Sequence, residues 1–520
     1  MRGENKTPQE KAFGNHSWGT LGLKVDELKG ETADNADNIE VVKGAGWVDE
    51  DLVGHGTRIE ALESQNFTLG IKFEGLPAST VGTRMAGAVG KTFRSNVGSM
   101  NLEAYPTTDI RNYAPYSGIR TAKVNDTFVV QAYVDEPGFA GASGHIMTWI
   151  PKFYSRIVDA TEFYIRPAQA SGYSIEPAFY DYVNSEERDG IWIGSLPGTL
   201  DSSDGTSVLD SLIGKAFQVN RTMMQLRTSA KANGTGFGLM DIATREMLRK
   251  LFLIAVADTN SQAVVGSGVT SLGNSVLVTE DNFLAMGNES GYIGTDTEVP
   301  VCFFGIWGLW GNIWQWVDGI FKVDKDMTID VASAADTDVV TVNGTALTKG
   351  AASDWQDAAT LASAIDALAD VSATSDGTVV TALADAGKQL VITKTENAGT
   401  ITIAVTKYGF FFSYNETYYD AIIGTIPATL SNYEEHTENP PLTNGYQGAI
   451  AGSPAVPSSL TGGGSATGLC DYFYQSAGYR GLRVGGYWTY GSDAGFFYWN
   501  VSRAPSSSSS YIGSRLLCKP

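Results

Sequence analysis

The chain is 520 residues long, and 36 Lys and Arg against 57 Asp and Glu give it a formal charge of -21. Single hydrophobic cores stop growing near ~250 to 300 residues, so about three or four folded units are expected. The acid excess repels phosphate backbones and excludes nucleic acid as a partner. Cys302, Cys470 and Cys518 are too few and too far apart for a disulfide framework or a zinc knuckle, and they read as buried free thiols.

Residues 1–65 are polar, with apolar positions at Leu21, Leu23, Val25, Leu28, Ile59 and Leu62 that do not sustain heptads. They are expected to form an attachment or oligomerisation region. The opening MRGENKTPQEK lacks the apolar stretch of a signal peptide, so export by that route is not expected. Residues 66–139 alternate apolar and polar positions in short runs, FTLGIKFEG and DTFVVQAYV, between Gly, Pro and Asn clusters. This pattern predicts a β-rich module. Aromatic-rich strands with half-buried faces are expected to continue over 147–180.

Over 238–257 the period changes. Met240, Ile242, Met247, Leu248, Leu251, Phe252 and Ala255 recur mostly at three- and four-residue steps, predicting one amphipathic helix among strands. The apolar run 301–317 is broken by Gly305, Gly308, Gly311, Asn312 and Gln315, and falls short of the ~20 residues that cross a membrane. It reads as core. Residues 323–407 hold a single aromatic, Trp355, between flanks crowded with them, which marks an inserted small α+β module of the immunoglobulin-like or phage-surface kind. Its pattern reads strand (MTIDVAS), strand (DVVTVNGTAL), helix, then strands (TVVTAL, KQLVITKT, TITIAV). Ser353 and Gln356 read as a capping box for a helix whose apolar side carries Trp355, Ala358, Leu361, Ala362, Ile365 and Leu368. The stretch 452–468, GSPAVPSSLTGGGSATG, is expected to be a mobile surface loop.

The last segment carries the functional signal. Residues 487–500 hold seven aromatics in fourteen positions: Tyr487, Trp488, Tyr490, Phe496, Phe497, Tyr498 and Trp499. Rigid Tyr and Trp among Ser, Gly and Asn make the composition of an antibody-like paratope. A glycine-rich aromatic core has the same composition. Residues 470–520 carry five basic side chains, Arg480, Arg483, Arg503, Arg515 and Lys519, against Asp471 and Asp493. An aromatic, mildly basic face suits acidic surface proteins or glycans.

Three motifs in order add a resemblance. Gly311-Asn312-Ile313-Trp314-Gln315-Trp316 is similar to the G-N-V-W-E-W of the formylglycine-generating-enzyme branch of the C-type lectin fold. Gly485-Gly486-Tyr487-Trp488 resembles its G-G-S-W, and Ile512-Gly513-Ser514-Arg515 its closing G-F-R. The resemblance implies a C-type-lectin-like domain over 140–322 and 408–520, interrupted by the 323–407 insert. Trp314, Trp316, Gly486, Trp488, Gly495, Gly513 and Arg515 would be its scaffold. Oxidases of this branch carry a cysteine pair between the last two motifs, where this chain has GFFYWNVSRAPSSSSS. The resemblance therefore implies a binder with no catalytic residues.

The tail is more similar still to the variable proteins of phage diversity-generating retroelements, in which asparagine codons are randomised at their adenines. Residues reachable from such codons stand at Ser476, Gly478, Tyr479, Tyr487, Thr489, Tyr490, Asp493, Ser502, Arg503, Ser507, Ser509 and Tyr511. By this resemblance they are the diversified ligand-binding positions. It implies a tail-tip or fibre receptor-binding protein of the virion, made in the host cytoplasm, that grips a host cell-surface protein or glycan non-covalently. It also implies a homotrimer attached to other virion proteins through its N-terminus, without membrane insertion. A structural decoration protein is the alternative reading, and a formylglycine-generating-type oxidase a more distant one.

No cofactor is expected. Calcium is compatible with the fold type, but no residue places it: Asp324, Asp326 and Asp330 lack the Gly and Glu of a calcium loop and read as solvated. His16, His55, His145 and His436 have neither metal nor triad spacing. The expected fold class is α+β and multidomain: a β-rich N-terminal module, then the lectin-like domain carrying the insert.

Overall fold

The structure, a computed structural model, describes residues 67–200, 208–350, 354–421, 430–436 and 439–520. The attachment region expected over 1–65 lies outside these residues, as does Ser353. The described chain is mixed α+β, rich in strands and built of several sheets.

Leu69 and Ile71 alternate onto the buried face of the strand Leu69–Lys72. That strand pairs antiparallel with Thr83–Ala86 on one side and Glu162–Arg166 on the other. Likewise Arg120–Val124 pairs with His145–Pro151, which pairs with Gly190–Gly194. Both ladders cross the boundary expected at 139/140. The reason is a shared core, since Leu69, Ile71, Ile150, Phe163 and Ile165 bury in one cluster. The strand Leu516–Cys518 completes the second sheet, between Phe237–Leu239 and Gly190–Gly194.

Helix α1 (Met223–Lys231) starts at a capping box in which Thr222 and Gln225 exchange side-chain-to-backbone hydrogen bonds. Helix α2 (Ile242–Val256) is the helix expected over 238–257, and Asp241 caps it by accepting from Thr244 N at 2.8 Å. The expected solvated face is absent: all 15 residues are buried. Loops around Ala160, Glu176, Ala455 and Phe496 cover its polar side, so its charges find partners indoors. Lys250 Nζ lies 2.5 Å from Glu176 Oε1, Arg249 pairs with Glu246 at 3.1 Å, and Arg245 donates to the Phe496 carbonyl.

Strand β1 (Trp314–Ser333) leaves the apolar run, which is core as expected, and enters 323–407, the segment expected to be an insert. It returns as β2 (Thr400–Phe412), antiparallel to β1 from Ile320↔Phe412 to Ser333↔Thr400. Between them a separate cluster forms from Ile329, Val340, Trp355, Leu361, Ile365, Val380 and neighbours. Two local readings need correction. DVVTVNGTAL is a hairpin rather than one strand, because Asn343 and Gly344 both take positive φ, 48° and 88°, as a tight Asn-Gly turn requires. Helix α3 (Ala358–Asp366) is capped by Asp357 and Thr360, not by Ser353 and Gln356. The Asp357 carboxylate accepts from Thr360 N at 2.8 Å, and the helix starts after it.

The stretch 452–468 is not a free loop throughout. Val456–Ser459 pairs with Ala449–Ala451, and Ala455 and Val456 are buried.

Candidate binding site

The first residues of β1 are the centre of the site. Gln315 and Trp316 pair antiparallel with Val484 and Arg483 of β4 (Arg480–Val484). On the other side Trp314 and Gln315 pair parallel with Ile512 and Gly513 of a short strand, Ile512–Gly513. Strand β5 (Trp499–Arg503) lies between β4 and β3 (Tyr472–Gln475). Gly311 N donates to Gly485 O, and Trp314 N to Tyr511 O, each at 2.9 Å. The three motif segments, far apart in the chain, thus meet on one strand.

Arg515 locks them. It is fully buried and donates from Nε to Gln315 Oε1 at 2.9 Å, from Nη1 to Gly194 O at 2.7 Å and from Nη2 to Trp307 O at 2.6 Å. Gln315 in turn donates to Gly308 O at 2.6 Å. Burial pushes the Arg515 guanidinium down to about 9, which still leaves it charged at neutral pH. Two glycines are fixed by sterics. Gly486 has φ +82° and a Cβ there would lie 2.8 Å from Ala494 Cβ, while at Gly495 it would lie 1.9 Å from Asp471 Oδ1.

Exposure separates the two groups of site residues. Among the scaffold residues Trp314, Trp316, Gly486, Gly495, Gly513 and Arg515 are buried, and Trp488 is half-buried. None of the twelve positions expected to be diversified is buried: Thr489 and Arg503 are exposed, and the other ten are intermediate.

The accessible aromatics form one group. Tyr487 stacks on Tyr511 with ring centroids 4.5 Å apart and planes at 21°, and Trp488 stands edge-on to both. Tyr490 packs against Trp314 at 5.3 Å and Tyr498 at 5.4 Å. Phe496, Phe497, Tyr498 and Trp499 instead turn inward, with Phe496 stacked on Phe252 of α2 at 4.6 Å. The aromatics of 487–500 thus divide into an accessible set, Tyr487, Trp488 and Tyr490, and a buried set, 496–499. The serine run is tied down: Asn220 N donates to Ser509 O and Met223 N to Pro505 O.

Ser476, Gly478 and Tyr479 form a second group at the root of the insert. Lys322 Nζ bonds Asp324 Oδ1 at 2.7 Å and Ser476 O at 2.9 Å, and Gly478 N donates to Asp324 Oδ2 at 2.6 Å. Asp324, expected to be solvated, is buried because Lys322 and this loop enclose it, whereas Asp330 is exposed. Tyr479 meets Phe321 edge-on at 5.5 Å.

The basic character expected of the tail is mostly internal. Arg483, Arg515 and Lys519 are buried, leaving Arg480 and Arg503 at the surface, and Lys519 is spent on Asp241 at 2.6 Å. Asp493 accepts from Tyr446 Oη at 2.6 Å. The Tyr511 phenol is held below its usual value, first by a hydrogen bond with Ser509 and, against partial burial, by Arg503 and Arg483. Burial pushes Tyr490 up. Arg483 and Asn500, unassigned from sequence, lie beneath the accessible group, Arg483 Nη2 donating to Asn500 Oδ1 at 2.7 Å. Their signal would have been the register of β4 on β1, which no local pattern encodes.

The three cysteines are free and buried; burial pushes the Cys470 thiol up to about 12 and raises Cys302 and Cys518 as well. Among the described residues no three His, Cys, Asp or Glu side chains converge to hold a metal ion, and no helix is long and apolar enough to cross a membrane. No family model and no curated protein matches the chain.

Proposed function

We propose that this chain is a phage receptor-binding protein of the tail tip or fibre, with a diversified face on a C-type-lectin-like scaffold. The face grips a host cell-surface ligand non-covalently. The observation that carries this reading is the split in exposure: all twelve asparagine-derived positions are accessible, whereas six of the seven scaffold positions are buried. A packed framework orders the loops in advance, so side chains at the rim can change without unfolding the domain. The convergence of the three motif segments on β1 supports the lectin-like scaffold. Raised, buried thiols favour a binder over a thiolate-dependent oxidase, since the thiolate is the reactive form. Trimeric display would strengthen weak single-site contacts by ~10² to 10⁴.

The test is deep sequencing of the coding locus in a propagated population, with a search nearby for a near-copy of the 476–511 coding segment and a reverse transcriptase. Substitutions concentrated at the twelve positions are the expected result. An even spread of substitutions with no template copy would sink the reading in favour of a structural decoration protein.

A further inference from the structure

Resting on that reading, the charge distribution under the face narrows the chemistry of its ligand. Arg483 is 3% exposed, with its guanidinium 5.1 Å from the Trp314 ring centre and 5.7 Å from that of Trp316. Its Nη2 donates to two neutral acceptors, Asn500 Oδ1 at 2.7 Å and Ser502 Oγ at 3.1 Å, and its Nε has no partner. Among the described residues no carboxylate acts on Arg483, and the one that acts on Arg480, Asp324, is already held by Lys322 at 2.7 Å. The register Gly481↔Arg503 sets the exposed Arg503 on the face of Arg483, and its charge also reaches Arg480 at the end of the strand. A second guanidinium therefore stands next to a buried, uncompensated one. Burial first, and then Arg503, pulls the Arg483 guanidinium down to about 10.

A buried cation held only by neutral oxygens and ring faces is costly, and an anion brought to it removes much of that cost. We propose that Arg480, Arg483 and Arg503 form the anion-recognising centre of the face, and that its ligand is an acidic segment of a protein. Arg480 and Arg503 contact the ligand carboxylates through their forked donors, and Arg483 contributes its charge from beneath. The choice of a protein follows from the surroundings. Tyr490 and Tyr511 act on the Arg483 guanidinium, with Tyr487 and Trp488 packed against Tyr511, and Arg with Tyr and Trp is the composition of energetic centres between proteins. Arg503 is one of the twelve diversified positions and Arg483 is not. Diversification would therefore vary the outer charge and keep the inner one.

The test uses the full chain and fluorescein-labelled poly-L-glutamate, followed by fluorescence anisotropy, with polygalacturonate as a glycan of similar charge. A chain of net charge -21 has no general attraction for either polymer, which makes the probe discriminating. We expect poly-L-glutamate to bind more weakly as salt rises, R503S and R480S each to weaken it about tenfold, and polygalacturonate to bind at least about tenfold more weakly. R483Q, checked for folding by its melting temperature, weakens binding too; if it does not fold, the two surface variants still decide. Absence of poly-L-glutamate binding, or binding indifferent to R503S and R480S, would overturn the anion centre. Equal binding of polygalacturonate would overturn the assignment to a protein. Failure of the receptor-binding reading shows separately in the template search and population sequencing, which depend on no arginine.

Discussion

Arg515 Nε donates to Gln315 Oε1 at 2.9 Å, joining residues 200 positions apart and closing the C-terminal motif on the first. Arg515→Met would leave the Gly194 and Trp307 carbonyls and the Gln315 side chain without their buried donor. Hydrogen bonds to charged groups contribute about 1.5 to 3 kcal/mol each, so a loss of about 3 kcal/mol or more is expected in chemical denaturation. A loss below about 1 kcal/mol would show that water replaces the guanidinium.

Gly486 and Thr489 are three positions apart and should differ sharply. Gly486→Ala forces a side chain onto a backbone at φ +82° and against Ala494, costing about 1 to 3 kcal/mol. Thr489→Ser, at an exposed position, should stay within about 0.5 kcal/mol of the parent. Thermal melts of both variants decide whether the scaffold and the accessible positions are energetically separate.

Tyr490 and Tyr511 test how far the accessible aromatics also serve as structure. Tyr490 leans on Trp314 and Tyr498, so Tyr490→Ser should cost about 1 to 2 kcal/mol. Tyr511 stacks chiefly on Tyr487, and Tyr511→Ser should cost less, about 1 kcal/mol. In a spectrophotometric titration Tyr511, held low by Ser509 and Arg503, ionises before Tyr490, which burial holds high. The reverse order, assigned with the two variants, would contradict the Ser509 contact.

The segment 323–407 carries its own acid sensitivity. Amides of Ala335, Ala398, Asn397 and Gly399 converge on the Asp338 carboxylate and hold it to about 2. A carboxyl lowered from its usual ~3.9 contributes stability that is full above that value and is lost as pH falls through about 2. Asp338→Asn should flatten the acid limb of the stability profile between those values. The check is denaturation of both proteins across that range; identical slopes would contradict it.

The sequence exposed what local chemistry encodes. The switch of period at 238–257 and the lone aromatic of 323–407 became a helix and a cluster, whereas Trp355, read as part of its helix, precedes it. What it hid was decided by partners far along the chain. The polar side of α2 reads as solvated until Glu176 and Phe496 cover it. The module boundary at 139/140 vanishes because Leu69–Lys72 and Arg120–Val124 find their ladders in later strands. At the site Arg483 was legible as one of the basic residues of the tail, but its burial was not, because its place depends on the register of β4 against Trp316.

Strand β1 runs 20 residues from Trp314, beneath the aromatic face, to Ser333 inside the insert, paired with β4 at one end and with β2 along the other. A load applied to the face along this strand would meet its ladder bonds in shear. They would have to give way together instead of unzipping one at a time, so rupture would be slow when tension runs lengthwise and fast when it peels sideways. Adhesion of the kind proposed should therefore depend on the direction of pull.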